Sequence, residues 1–125
     1  MVDRIVARAR KLIEVPFRLH GRDAETGLDC VGLVALAYAR TVGIPTGYAL
    51  RGGSAESFIT MIAALSLTRR RGPPRPGDVL LMQAGPAQFH IGLWTGESLI
   101  HADATLRRVV ELPGPLPWAV IGAWH

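Results

Sequence analysis

The sequence is short of cysteine, of lysine and of long apolar runs, and each shortage excludes something. Cys30 is the single cysteine among 125 residues, so no disulfide can form within the chain and this thiol is free. Zinc sites usually announce themselves by paired spacings such as Cys-x-x-Cys or His-x-x-x-His. Neither occurs, so a metal reading would have to gather Cys30, His90, His101 and His20 from separate parts of the chain. No cofactor is expected. No apolar run approaches the roughly 18–20 residues that a membrane span requires. The first fifteen residues spread Arg4, Arg8, Arg10 and Lys11 through an apolar pattern, so no signal-peptide core is visible there and synthesis in the cytoplasm is expected. There is no internal repeat and no linker, and Pro113-Gly114-Pro115-Leu116-Pro117 reads as a stiff surface loop. One domain over residues 1–125 is expected.

Apolar residues make up 49% of the chain and charged residues 19%, enough to build a core and too apolar for disorder. The net charge of +4 and the pI of about 10.2 would suit a polyanion, either nucleic acid or an anionic cell wall. The base is almost all arginine, which a GC-rich genome also produces, so the charge carries little weight. A nucleic-acid partner is not expected.

Val2, Ile5, Val6, Ala9, Leu12 and Ile13 recur at helical spacing ahead of Pro16. A polar loop, Phe17 to Leu28, precedes Asp29-Cys30-Val31-Gly32-Leu33-Val34-Ala35-Leu36-Ala37-Tyr38, which is apolar nearly all round and closed by Gly43 and Pro45. That pattern describes a buried helix capped by Asp29, with Cys30 in its first turn. A third helix is expected from Ser54 to about Leu67, followed by a loop in which Pro76-Gly77 suits the middle of a type II turn. Beyond it the period changes to two. Val79–Met82, Phe89–Thr95, Ser98–Ala102, Arg108–Glu111 and Ala119–Trp124 read as short strands. Helices first and strands afterwards predict an α+β fold, with N-terminal helices packed on a C-terminal antiparallel sheet.

A thiol in the first turn of a helix meets unpaired N–H groups and the positive end of the dipole, which favour the thiolate and can hold an oxyanion. The plainer reading of Cys30 is a small buried hydrophobe. Thiol chemistry needs a base. His90 and His101 both stand in apolar, strand-like runs, where a histidine is costly unless its nitrogens are paired. A Cys-His-His set would let His90 take the thiol proton while His101 orients the ring of His90. One turn decides whether they can meet. With Gly96-Glu97 as a two-residue loop, Thr95 opposes Ser98 and Gly92 opposes His101, so His90 and His101 share a face and can both point at Cys30. A three-residue loop over Thr95, Gly96 and Glu97 would turn His101 away.

Leu28-Asp29-Cys30-Val31-Gly32-Leu33-Val34 resembles the Asp-Cys-Ser-Gly-Leu-Val nucleophile motif of the NlpC-type, papain-like cell-wall cysteine peptidases. Pro76-Gly77-Asp78-Val79-Leu80-Leu81 resembles that family's entry to its first strand. His90-Ile91-Gly92-Leu93-Trp94 and Leu99-Ile100-His101-Ala102 resemble its two histidine strands, in the family's order. The resemblance implies a papain-like fold and hydrolysis of peptidoglycan stem peptides, usually at the bond between the γ-carboxyl of D-glutamate and a diamino acid such as diaminopimelate. It also implies substrate contacts at Asp29, Phe17 and Val31. Phe17 stands where the family has a tyrosine, Val31 stands where it has a serine, and Asp29 is read both as the helix cap and as a group meeting the amine end of a stem peptide. Within the family, the chain is most similar to the wall peptidases of phage tails and gene transfer agents. That similarity implies tail proteins as partners and action at the cell wall or periplasm after delivery by the particle. Two alternatives stay open: a catalytically silent tail component of the same fold, and a cysteine-dependent acyltransferase.

Overall fold

The computed structural model describes residues 2–40 and 54–125, and within them the helices precede the five-stranded sheet, as the change of period requires. Helix α1 (Val2–Arg10) lays Ile5 and Ala9 into the core, with Leu12 just beyond it. It stops earlier than the apolar pattern does. The chain turns at Glu14 (φ 79°) and pairs with the last-but-one strand instead, through Glu14 N–H to Val109 O (2.8 Å) and Val109 N–H to Val15 O (2.9 Å). The polar loop that follows contains a small antiparallel hairpin, β1 (Arg22–Asp23) with β2 (Gly27–Leu28), which no periodicity marks.

Helix α2 (Cys30–Ala37) is buried on nearly every side. Asp29 caps it with extended backbone and with Oδ1 on the Gly32 N–H at 2.9 Å. Gly32 is where the helix meets the preceding loop backbone to backbone. A Cβ there would stand 2.1 Å from Gly21 O, so any side chain would drive the first turn away from the loop that supports it. The expected stop signals Gly43 and Pro45 lie outside the described residues. Helix α3 (Ala55–Ala64), capped by Ser54, buries Phe58, Met61 and Ile62. It is shorter than the run to Leu67, because Ser66 takes φ 60° and Thr68–Arg70 then pairs with the C-terminal strand.

Strands β3 (Val79–Gly85), β4 (Gln88–Trp94), β5 (Ser98–Asp103), β6 (Arg108–Pro113) and β7 (Ala119–Trp124) form one antiparallel sheet in the order β6-β5-β4-β3-β7. The turn before β3 is the expected one, with Pro76-Gly77 central and Asp78 N–H on Arg75 O at 3.0 Å. Both faces of the sheet are covered. Val79, Leu81 and Ile91 pack with α2 and α3, while Leu93, Ile100, Ala102 and Val109 pack with α1 and α2. On the other face Leu80, Met82, Leu99 and Ala123 gather with Trp94, Leu116 and Trp118. The outer edges are covered too, β6 by Glu14–Phe17 and β7 by Thr68–Arg70. Among the described residues, no helix is long and apolar enough to cross a membrane.

Candidate active site

The β4–β5 turn places the two histidines. Thr95 N–H reaches Ser98 O at 2.9 Å, and Leu93 opposes Ile100 as Trp94 opposes Leu99, so the loop holds two residues, with Gly96 at φ 103°. Carried one pair further, this register sets Gly92 opposite His101 and puts His90 diagonal to it on the same face. The side chains meet there: His90 Nε2 lies 2.8 Å from His101 Nδ1, with the rings nearly perpendicular (88°) and their centroids 5.0 Å apart. Gly92 leaves room for this. A Cβ at that position would stand 3.2 Å from His101 Cβ and 2.8 Å from Leu99 Cδ1. The backbone ladder between β4 and β5 runs no further than Leu93 and Ile100, so towards the cleft the imidazole pair stands where backbone pairing has ended.

The pair borders a cleft of about 240 Å³ lined also by Phe17, Asp103, Thr105 and Trp118. Trp118 sets its ring edge-on to both imidazoles, 5.4 Å from His90 and 5.5 Å from His101. Burial pushes His90 down to about 4, with the neighbouring His101 acting the same way and the carboxylate of Asp103 opposing both. Burial also holds His101 below the ordinary histidine range, again against Asp103. Both rings are therefore neutral at neutral pH, and their hydrogen bond needs one N–H and one lone pair.

Cys30 opens α2, as expected, and is 1% exposed. Its expected acidity is corrected by the structure. Burial pushes the thiol up to about 12, and the carboxylate of Asp29 adds to the rise; the N–H groups of Ile91, Val31 and Cys30 itself act against this and are outweighed. A helix terminus favours a thiolate and apolar burial disfavours it, and at Cys30 burial wins. The thiol thus meets β4 at the backbone of Ile91, the residue after His90, while the imidazoles lean on Trp118. Among the described residues no hydrogen bond joins the thiol to either ring, so the expected pointing of both imidazoles at Cys30 does not extend to such a contact.

Asp29 is fully buried and serves as the cap. Oδ1 accepts from Gly32 N–H and from Arg22 Nη1 (3.0 Å), and Oδ2 accepts from His20 N–H (2.9 Å), so both oxygens are engaged inside the protein. Phe17 lines the cleft, whereas Val31 is fully buried in the core beside Cys30 and does not. No group of three or more His, Cys, Asp or Glu suited to a metal ion is found among the described residues. Sequence reasoning missed two cleft residues. Asp103 was within reach, since it follows His101 by two on one strand and so shares its face. Trp118 follows a proline-rich loop outside any periodic run, and nothing local places it.

No curated protein sequence matches the chain. Solved structures do. The P60 domain of an antigen from M. avium subspecies paratuberculosis is 20% identical with a TM-score of 0.63, covering 98% of this chain and 91% of that one. The NlpC/p60 domain of the peptidoglycan hydrolase SagA is 24% identical with a TM-score of 0.64, covering 100% of this chain and 98% of that domain. An NlpC/P60 family protein from Bacillus cereus is 17% identical with a TM-score of 0.62; the alignment covers 98% of this chain but 39% of that protein's length. At these identities the likeness is one of fold. The family model for NlpC/P60 matches residues 14–113, from the end of the first helical segment through both histidine strands, and the chain belongs to the NlpC/P60 family.

Proposed function

We propose that this domain is a cysteine endopeptidase that hydrolyses peptidoglycan stem peptides, with Cys30 as nucleophile, His90 as base and His101 as the group that orients it. The observation that carries the reading is the 2.8 Å bond from His90 Nε2 to His101 Nδ1, on the strand whose backbone touches the Cys30 thiol. In the productive tautomer His90 carries its proton on Nε2 and donates it to His101 Nδ1, leaving His90 Nδ1 bare to accept the thiol proton. Because thiol and imidazole both rest neutral, proton transfer accompanies attack rather than preceding it. Sulfur bonds to the carbonyl carbon, the oxyanion is met by N–H groups at the start of α2, and His90 passes its proton to the departing amine as the C–N bond breaks. Water, deprotonated by His90, then adds to the thioester, and the acid leaves as the thiol is restored.

Within this reading the bond cut is the D-γ-glutamyl–diaminopimelate bond, and the domain works at the cell wall or periplasm as part of a phage tail or gene-transfer particle. The motif resemblance and the fold shared with a domain of a peptidoglycan hydrolase support the wall substrate. The test is mass spectrometry of muropeptides before and after incubation with the protein. New fragments ending in D-glutamate are expected, and Cys30→Ser should lower their formation by several orders of magnitude. Equal digestion by that variant would remove Cys30 from its role. One observation favours a second reading, a silent structural component: the thiol is buried, protonated and without a hydrogen bond to an imidazole. Unchanged muropeptides with the parent protein would decide for it.

A further inference from the structure

The face of β4 and β5 that carries the histidines is the one α2 does not cover. His90 pairs across the sheet with Met82, and His101 follows Leu99 by two, so both belong to the side holding Leu80, Met82, Leu99 and Ala123. Against the imidazoles there lies Trp118, from the segment between β6 and β7. Trp118 contacts both rings edge-on, at 5.4 Å and 78° for His90 and at 5.5 Å and 86° for His101. The two rings and the indole are thus mutually near-perpendicular and enclose the 2.8 Å bond between the histidines. The indole also lines the cleft, so a substrate entering there passes along it.

We propose that Trp118 is a positioning residue for the imidazole pair: its indole keeps water off the two rings and fixes His90 Nε2 on His101 Nδ1, so that His90 presents its other nitrogen towards the thiol. The proposal rests on the catalytic reading above for its kinetic consequence but not for its structural one. An aromatic ring suits the task. Its bulk excludes water, and edge-to-face contact, one of the arrangements aromatic rings favour, holds each imidazole in one orientation. The carboxylate acting on the pair is that of Asp103 from β5, which draws both histidines upward, while Cys30 on α2 is a neutral thiol at neutral pH and adds no charge. Removing the indole leaves Asp103 in place and admits water, so both effects then act towards the ordinary histidine value.

The test pairs titration with kinetics in Trp118→Ala and Trp118→Phe. Imidazole carbon–proton NMR on the whole protein follows His90 and His101 against pH. In the parent His90 is expected to titrate near 4; in Trp118→Ala its midpoint should rise towards about 6.5, with Trp118→Phe between the two. On muropeptides, Trp118→Ala should lose on the order of 10- to 100-fold in kcat, a larger factor than any rise in KM from the lost cleft wall, as expected when a reacting group is misplaced. A purely structural tryptophan would lower thermal stability and leave the titration of the folded protein unmoved. An unchanged His90 midpoint in folded Trp118→Ala overturns the proposal, as does unchanged kcat in an active parent. Should Trp118→Ala not fold, the same reading is taken from Trp118→Phe. If the parent digests no wall fragment, the hydrolase reading fails while the NMR result still decides the role of Trp118.

Discussion

At the scale of single residues, the unusual group is a thiol that the fold has made less acidic. Buried at the head of α2 and pushed up to about 12, Cys30 should react with iodoacetamide slowly at neutral pH, with a rate that climbs well above the ordinary thiol midpoint of about 8.5. A midpoint below that value in the folded protein would mean that an imidazolium reaches the sulfur in solution. Phe17 offers a second check, because its ring lines the cleft and lacks the hydroxyl of the family's tyrosine. Phe17→Tyr should raise the rate of wall digestion or leave it unchanged; a large loss would show that the ring fills space that a hydroxyl cannot share. The placement of these side chains was readable here: Asp29 as a cap puts Cys30 at a helix start, and the strand register brings His90 and His101 together. The acidity of the thiol was not, because it depends on how much protein surrounds the sulfur, and a helix start looks the same in sequence whether it is wet or dry.

At the scale of elements, the head of α2 is held by one carboxylate. Asp29 binds Gly32 N–H, His20 N–H and Arg22 Nη1, tying helix, loop and hairpin together. Asp29→Ala would take one acceptor from the Gly32 and His20 N–H groups and the ion-pair partner from Arg22, whose Nη1 keeps Gly21 O. It should cost about 3 kcal/mol, measured by denaturant unfolding, against about 1 kcal/mol for a helix cap alone. A loss near the smaller figure would mean that Arg22 finds water instead. The β4–β5 hairpin was legible because side chains alternate with a period of two: once Gly96-Glu97 is taken as the loop, the facing of both histidines follows. The β1–β2 hairpin and the early ends of α1 and α3 were not. Each depends on a partner distant in sequence, and the chain leaves α1 after Arg10 because Val109 offers it a strand to join.

At the scale of the whole molecule, the buried thiol and the part-buried His90 bound the pH range of stability. His90 falls from the ordinary value of about 6.5 to about 4 on folding, so between those values the unfolded chain binds the extra proton. Its contribution is complete above about 6.5 and is lost as pH falls through 4. Cys30 rises on folding, so here the folded state holds the proton. That contribution is complete below the free-thiol value of about 8.5 and is lost as pH climbs towards 12. Thermal unfolding should therefore show a plateau between about pH 6.5 and 8.5, with losses on both sides. His90→Gln should flatten the acid side and Cys30→Ala the alkaline side. Acid and alkaline limbs unaffected by these substitutions would place the sensitive groups elsewhere.

The two histidine strands form a fork. Backbone pairs close it near the turn, and beyond Leu93 and Ile100 its prongs are tied by one imidazole-to-imidazole bond. Acid that protonates both rings converts the accepting nitrogen into a second donor and sets two like charges side by side, so the tie becomes a spreader. Amides near the prong tips should then exchange with solvent hydrogen while those of β3 and β7 stay protected. The domain would lose the shape of its cleft before it loses its fold.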